Sequence, residues 1–419
     1  MLRGSFELIG DKSISHRAIM FSSISKGNIK ISNFLMGQDC LSTIDCFRKM
    51  GVSIDIDKDF VYVKGSGLYG LKKPTSILDV GNSGTTIRLI SGILAGNEFK
   101  STIVGDESIS KRPMRRVTEP LRLMGSNIVG EDNGNYTPLT ISGGNLKGIE
   151  YDLKVSSAQV KSALILAGLY ADGETKLTGK IQSRDHTEIM LKSFGANIET
   201  NKNEIIINKV DELYSEDICV PGDISSAAFV IVGTLITKGS EVLIKNVGLN
   251  ESRTGIIDVV KLMNGNIEIV DEKNVGGEKV GDLLVKYSPE IKAITIDKDI
   301  IPRLIDEIPI ISILATQAEG TTIIKDAKEL KIKESNRIKA MVDNLKSVGV
   351  KIDELDDGMI IYGKSKILGG EIDTYKDHRI AMSFAIANLI SEGEIKIDDT
   401  KCIDISFPGF FELIKKLSI

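Results

Sequence analysis

The chain has 419 residues, 42% hydrophobic and 26% charged, which is typical of a globular protein and long enough for two domains. A net charge of −5 and an aromatic content of 5% argue against nucleic acid or an acidic membrane as a partner. The cysteines show no CxxC spacing, and the longest apolar run, AAFVIVGTLI, is too short to cross a bilayer. We therefore expect a cytoplasmic protein.

A strand-like segment, LRGSFELI, opens the chain, and one pattern then follows six times. Each copy starts with an apolar segment of about three helical turns that is hydrophobic nearly all round, which predicts a buried helix. A glycine follows each segment and predicts a helix C-cap, and a β-like run comes next. The six glycines are Gly27, Gly96, Gly173, Gly239, Gly320 and Gly393.

A second helix is predicted in each copy, and it is amphipathic. In TGIIDVVKLM and NRIKAMVDNLKSVG the apolar residues fall on one stripe at helical spacing. A short strand follows in the first five copies, as in MGVSIDI and VGVKIDE. The sixth copy lacks this strand, so we expect the N-terminal strand to complete it.

These repeats predict an α/β (α+β) fold of two similar domains, each of three repeated βα units with buried central helices. The predicted domains are 13–221, and 1–12 together with 222–419. The two crossings fall in related phrases, GDKSISHRA at 10–18 and GDISSAAF at 222–229, which we interpret as hinges.

Cations stand close to the starts of several predicted buried helices: Lys12, Arg17, Arg88 and Lys161. A cation there opposes the helix dipole at a cost of about 0.3–1 kcal/mol. Helix N-termini with glycine-rich approaches suit phosphate groups. The pattern therefore predicts anion binding at the helix starts.

Carboxylates mark the second half of the chain. Asp306 and Glu307 precede an apolar segment, and Glu334 lies three residues before Arg337. One interpretation is structural, because acidic residues stabilise helix starts and i,i+3 ion pairs are common. The other is acid–base chemistry on a polyanionic substrate. The pattern leaves both open.

Eight segments occur in order along nearly the whole chain: GDKSISHRA, GNSGTTIRL, RPMRR, SSAQVKSALILAGL, SRDHTE, IPRLIDEIPI, KESNRI and DHRIAM. Together they resemble the signatures of the 5-enolpyruvylshikimate-3-phosphate synthases, and SAQVK and RPMRR resemble the class II branch. The resemblance implies the enolpyruvate transferase fold, an inverse α/β barrel. It also implies transfer of the enolpyruvyl group from phosphoenolpyruvate to the 5-hydroxyl of shikimate-3-phosphate, with release of phosphate, in the pathway to chorismate and the aromatic amino acids.

The resemblance also implies site residues. Asp306, Glu334 and Lys12 are the expected catalytic residues, with Asp306 as the base at the hydroxyl and Glu334, with Lys12, as the proton carrier at C3. The expected ligands of shikimate-3-phosphate are Lys12, Ser13, Arg17, Ser157, Gln159, Ser183, Asp306 and Lys333. Those of phosphoenolpyruvate are Lys12, Gly84, Arg112, Gln159, Arg337 and Arg379. No metal or other cofactor is expected, and a monomer is expected.

Two alternative functions share part of this pattern. The related UDP-N-acetylglucosamine enolpyruvyl transferases carry a reactive cysteine in the loop that matches GDESISKRPM, and this loop has none. A non-catalytic anion-binding repeat protein would share the basic helix starts, and an assay of phosphate release would separate it from an enzyme.

Overall fold

The computed structural model describes residues 1–58, 60–214 and 216–419. The chain forms two compact units. We call Gly10–Val220 the N-proximal unit, and Met1–Ile9 with Pro221–Ile419 the C-proximal unit. The domain boundaries expected from sequence stay a prediction. Residues 10–12, which that prediction groups with 222–419, lie in the N-proximal unit, where the Asp11 side chain caps the first helix.

Strand β1 (Arg3–Glu7) opens the chain and belongs to the C-proximal unit. The helices of the N-proximal unit are α1 (Lys12–Ser23), α2 (Gln38–Lys49), α3 (Gly84–Ala95), α4 (Glu107–Ser110), α5 (Arg115–Leu123), the short turn α6 (Glu131–Gly134), α7 (Ala158–Gly168) and α8 (His186–Ser193). Its strands are β2 (Lys26–Ser32), β3 (Ser53–Asp57), β4 (Phe60–Ser66), β5 (Leu78–Asp79), β6 (Lys100–Val104), β7 (Asn127–Gly130), β8 (Tyr136–Ser142), β9 (Glu150–Leu153), β10 (Thr175–Gly179), β11 (Asn197–Thr200), β12 (Ile205–Asn208) and β13 (Ile218–Cys219).

The C-proximal unit continues the pattern. Its α-helices are α9 (Ile224–Ile236), α10 (Gly255–Leu262), α11 (Ile308–Thr316), α12 (Arg337–Ser347), α13 (His378–Ala387) and α14 (Phe410–Leu417). Its further strands are β14 (Glu241–Gly248), β15 (Asn266–Val275), β16 (Glu278–Lys286), β17 (Thr295–Ile296), β18 (Thr321–Ile324), β19 (Ile352–Leu355), β20 (Gly358–Tyr362), β21 (Gly370–Ile372) and β22 (Ile395–Ile397). Short 3₁₀ helices span Lys298–Arg303, Lys328–Ile332 and Lys401–Ile405.

One sheet pattern recurs in both units. The strand that follows each buried helix pairs in parallel with a short edge strand, as in β5 with β6 and β17 with β18. The same strand pairs on its other side with an antiparallel hairpin, as in β6 with β8 and β8 with β7. The sixth copy stops at the parallel pair of β21 and β22. A parallel strand–helix–strand connection leaves the helix covering one face of its sheet.

The expected role of the N-terminal strand was wrong. β1 pairs in parallel with β14 and so completes the fourth copy of the pattern, although Leu2 and Ser418 form one isolated bridge. β13 does the same for the first copy, because it pairs in parallel with β2. The strand before α1 and the strand before α9 are therefore exchanged between the two units, and this exchange is what makes the C-proximal unit discontinuous.

The predicted buried helices are confirmed. Every residue of α9 and of α11 is buried, and in α10 and α12 the predicted stripes face the core. The glycine caps are confirmed only at Gly96, the C-cap of α3. Gly27 lies within β2, and the other four lie between the cap and the next strand, where Gly173 and Gly239 take φ of 85° and 78°. The reversal from helix to strand needs this left-handed backbone, which glycine adopts without strain.

None of the helices in residues 1–58, 60–214 and 216–419 combines the length and hydropathy needed to cross a membrane.

Candidate active site

Three of the predicted site residues, Lys12, Ser13 and Arg17, lie in the first half of α1. Asp11 caps the helix by accepting from the backbone N–H of Ile14 at 2.8 Å. The Lys12 ammonium forms an ion pair with Asp39 on α2. Sequence reasoning missed Asp39, and its position in the first turn of α2 could have suggested only a helix-start carboxylate.

The guanidinium of Arg17 ties α1 to two other helices of the N-proximal unit. Its Nε donates to Thr187 Oγ1 at 2.7 Å, its Nη2 to Ser162 Oγ at 2.9 Å, and its Nη1 to the Ser13 carbonyl at 3.0 Å. Arg17 is 3% exposed. Because Thr187 lies on α8 and Ser162 on α7, the structure holds these helix starts together around the predicted residues Ser13 and Arg17.

His16 lies on α1 and is fully buried. Its Nδ1 is 2.7 Å from Thr43 Oγ1 on α2, and Nε2 has no hydrogen-bond partner in the described part of the chain. Burial, followed by the charges of Lys12 and Arg17, holds the pKa of His16 well below its usual value of 6.5. The ring is therefore neutral near pH 7, and it adds no charge to the site.

Arg88 contacts two of the predicted residues, Gly84 and Gln159. Its Nη1 donates to Gln159 Oε1 at 3.0 Å and to the Gly84 carbonyl at 3.1 Å. Its Nη2 donates to the carbonyl of Pro113, which follows Arg112, at 3.4 Å. A Cβ built on Gly84 would lie 2.8 Å from Arg88 Nη1 and 3.0 Å from Arg112 Nη1. Gly84 is thus in close contact with two guanidinium groups that a side chain would displace.

Two serines flank the N-terminus of α7. Ser157 is the N-cap and accepts from the backbone N–H of Val160 at 3.4 Å. Ser183 follows β10, and its Oγ is a buried atom with no hydrogen-bond partner among the described residues. Lys161, which the sequence suggested as an anion-binding cation, is 2% exposed and pairs with Glu188 at 2.7 Å. That expectation for Lys161 was wrong, because its charge is neutralised inside the protein.

In the C-proximal unit one buried arginine organises the predicted residues. Arg337, at the start of α12, is 1% exposed and contacts three carboxylates. Its Nη1 donates to Asp306 Oδ1 at 3.1 Å, its Nη2 to Glu334 Oε2 at 2.6 Å, and its Nε to Asp377 Oδ2 at 2.8 Å. The two predicted acid–base carboxylates therefore lie on neighbouring nitrogens of one guanidinium.

The charges of this cluster depend on one another. Burial alone would lower the pKa of Arg337, but the carboxylates of Asp377, Glu334 and Asp306 outweigh it and raise that pKa above its usual value. Burial would likewise raise the pKa of Asp377, yet Arg337 holds it below its usual value. Arg337 and Asp377 are therefore a fixed charge pair at neutral pH.

Asp306 also contacts Lys333 and Arg379, the other two predicted cations of this unit. Lys333 Nζ lies 3.2 Å from Asp306 Oδ1, and Arg379 Nη1 donates to the Asp306 carbonyl at 3.0 Å. Glu307 is the N-cap of α11, but neither its side chain nor that of Asp306 caps the helix: Glu307 accepts from Ser225 and lies 3.6 Å from Arg379. These carboxylates do lie at the start of α11, and Glu334 and Arg337 form the expected i,i+3 pair. The side chains of Asp306 and Glu307 nevertheless contact cations and Ser225 instead of the helix backbone.

Sequence reasoning missed Asp377 and Glu307 as partners of the predicted arginines. Asp377 stands in DHRIAM immediately before α13, where an N-cap role is a sufficient explanation of its identity. Its contact with Arg337 spans 40 residues and carries no local signal. In the parts of the chain that the structure describes, no three His, Cys, Asp or Glu side chains are grouped so that they could hold a metal ion.

A family model described as EPSP synthase (3-phosphoshikimate 1-carboxyvinyltransferase) matches residues 1–414. The 3-phosphoshikimate 1-carboxyvinyltransferase of Alkaliphilus metalliredigens is 55% identical over 414 residues, which is 99% of this chain and 97% of the relative. The enzyme of that name from Bacillus subtilis is 53% identical over 418 residues, covering 100% of this chain and 97% of the relative.

A solved structure of EPSP synthase from Acinetobacter baumannii superposes with a TM-score of 0.90 at 46% identity, covering 100% of this chain and 96% of that one. The match confirms the predicted fold class and the predicted resemblance. The family model and the two relatives set aside the UDP-N-acetylglucosamine enolpyruvyl transferases and the non-catalytic repeat protein. The chain belongs to the EPSP synthase family, the 3-phosphoshikimate 1-carboxyvinyltransferases.

Proposed function

We propose that this chain transfers the enolpyruvyl group of phosphoenolpyruvate to the 5-hydroxyl of shikimate-3-phosphate and releases phosphate. That reaction is the activity of the family to which the chain belongs. The observation that carries the residue roles is the Arg337 cluster, because one buried guanidinium holds both Asp306 and Glu334.

The proposed chemistry is an addition followed by an elimination. In the addition, Asp306 takes the proton of the 5-hydroxyl, the hydroxyl oxygen bonds to C2 of phosphoenolpyruvate, and Glu334, with Lys12, delivers a proton to C3. In the elimination, the bond from C2 to the phosphate oxygen breaks and phosphate leaves, and C3 returns a proton to Glu334 as the double bond forms again. Proton transfer by a positioned carboxylate typically contributes about 10²–10⁴ in rate.

Substrate binding is assigned to the residues expected from the family pattern. For shikimate-3-phosphate these are Lys12, Ser13, Arg17, Ser157, Gln159, Ser183, Asp306 and Lys333. For phosphoenolpyruvate they are Lys12, Gly84, Arg112, Gln159, Arg337 and Arg379. Two features support the assignment: the buried Ser183 Oγ has no hydrogen-bond partner among the described residues, and the backbone at Gly84 lies against two guanidinium groups.

The test is phosphate release from phosphoenolpyruvate that depends on shikimate-3-phosphate. In Asp306→Asn the side chain keeps its shape but cannot accept the proton, so we expect kcat to fall about 100- to 10,000-fold while shikimate-3-phosphate still binds. The matched control is Asp343→Asn, because Asp343 lies on α12 and is paired with Lys339 near the surface. A folded Asp306→Asn enzyme with nearly normal kcat would remove Asp306 from the mechanism.

We also propose that the chain acts as a monomer in the cytoplasm, with no metal or other cofactor and no nucleic-acid or membrane partner. Light scattering coupled to size-exclusion chromatography tests the monomer, and a mass of about twice 45.6 kDa would contradict it.

A further inference from the structure

Lys161 and Glu188 form a buried ion pair between α7 and α8. The Lys161 ammonium lies 2.7 Å from Glu188 Oε1, and it also donates to the carbonyls of Ile181 and Ser183 at 3.2 Å each. The side chains are 2% and 5% exposed. A lysine ammonium has three N–H donors, so these three acceptors use all of them. Lys161 therefore has no donor left for a substrate.

Stability does not account for this pair. Each buried ion costs several kcal/mol of desolvation, and replacing a buried pair by apolar side chains of similar volume is often neutral or stabilising. The second oxygen of Glu188 is buried and has no hydrogen-bond partner among the described residues, which adds to the cost. What the pair does instead is hold the loop 181–183 through two of its carbonyls.

That loop carries Ser183. Its hydroxyl oxygen is buried and has no hydrogen-bond partner in the described part of the chain, although the carbonyl of the same residue is held by Lys161. Lys161 lies on α7, which also carries Gln159 in its first turn and has Ser157 as its N-cap. The ammonium thus ties Ser183 to the helix that positions two other proposed ligands of shikimate-3-phosphate.

We propose that the Lys161–Glu188 pair is a positioning device that orients the Ser183 hydroxyl for shikimate-3-phosphate. The inference rests on the proposed function, and it adds two residues that do not touch substrate. Lys161 acts through the Ser183 backbone, and Glu188 holds the ammonium in place against the loop. Losing this support lets the hydroxyl move, and misplacement by about 1 Å can cost roughly 100-fold.

The test uses the double variant Lys161→Met/Glu188→Met. The single variant Lys161→Met leaves Glu188 buried and unpaired, so we expect it to unfold at lower temperature than wild type. The double variant has no buried charge, so we expect its unfolding temperature to return toward the wild-type value. Its KM for shikimate-3-phosphate should nevertheless be at least about 10-fold raised, with the KM for phosphoenolpyruvate nearly unchanged. A pair that is only structural would restore KM together with stability.

A cycle with Ser183→Ala tests the route of the effect. In the wild-type background Ser183→Ala should raise the KM for shikimate-3-phosphate, and in the double variant it should add little, because residues that act together are not additive. Equal effects in both backgrounds would show that Lys161 does not act through Ser183.

The matched control is Lys176→Met/Glu204→Met. That pair has the same residue types and the same 2.7 Å separation, but its side chains are 32% and 28% exposed. We expect its KM values to stay at the wild-type level. Wild-type protein that releases no phosphate in the presence of shikimate-3-phosphate would overturn the proposed function. An active wild type with an unchanged KM in the Lys161/Glu188 double variant would overturn only the positioning role.

Discussion

Asp377→Asn is the sharpest test of the Arg337 cluster, because Asp377 is fully buried and supports Arg337 without being one of the proposed substrate ligands. Its Oδ2 accepts from Arg337 Nε at 2.8 Å and from Ser335 at 3.0 Å. Its Oδ1 accepts from the backbone N–H of Arg379 at 3.0 Å, which caps α13. Asparagine keeps one oxygen for the cap but turns an N–H toward the guanidinium.

The expected loss of stability follows from burial. Removing one partner of a buried ion pair costs about 3–5 kcal/mol. We expect about 3 kcal/mol here, at the lower end of that range, since Arg337 keeps its contacts with Glu334 and Asp306. In a unit of roughly 200 residues this lowers the unfolding temperature by about 6–12 °C.

The measurement is urea and thermal unfolding at pH 7, followed by circular dichroism. The folded-state pKa of Asp377 lies below its usual value. The stabilisation that the ionised carboxylate provides is therefore complete at pH values above that usual pKa, and it is lost only as the pH falls through the folded-state pKa. The KM for phosphoenolpyruvate should rise as well, because Arg337 is a proposed ligand. The control is Asp343→Asn, whose pair with Lys339 on α12 is 39% and 56% exposed, so its loss should change the stability little. If Asp377→Asn and Asp343→Asn lowered the free energy of unfolding equally, the argument that Arg337 depends on Asp377 would be refuted.

Two further predictions concern the N-proximal unit. In Gly84→Ala the new methyl group pushes on the guanidinium ends of Arg88 and Arg112. The KM for phosphoenolpyruvate should therefore rise about 10-fold, as expected for a weakened charged hydrogen bond, with stability nearly unchanged. An unchanged KM would contradict the contact. His16→Asn should make the protein less sensitive to acid. Because the folded-state pKa of His16 lies well below 6.5, the unfolded chain binds the proton first, and wild type loses up to about 1.4 kcal/mol per pH unit below pH 6.5. Parallel stability curves for wild type and His16→Asn between pH 7 and 5 would show that His16 does not cause this loss.

The sequence predicted the repeated pattern, the buried helices and the motifs, because each of them depends on the spacing of residues that are close together in the chain. An all-apolar segment of three turns is buried wherever it packs, and α9 and α11 are buried throughout. A sequence motif is recognised from its residue types and their spacing along the chain, without knowledge of the tertiary structure. For this reason the family and the fold class could be predicted, and the comparisons confirm them.

Other features depend on contacts between residues far apart in the chain. The pairing of β1 with β14 spans more than 230 residues, and no local pattern distinguishes it from pairing at the C-terminus. The partners of the site cations follow the same logic: Asp377 for Arg337, Asp39 for Lys12 and Glu188 for Lys161. The sequence does not show whether a charged side chain is buried. From the sequence alone, Lys161 could therefore be interpreted only as a cation at a helix start.

The sequence by itself determined which side chains are available, how they repeat and which family they belong to. Only the tertiary structure decided which charges are neutralised inside the protein and which carboxylates share one guanidinium. The physical reason is that helix and strand periodicity is local along the chain. The strength of an ion pair instead depends on burial and on separations of about 3 Å, and these arise only when distant segments pack together.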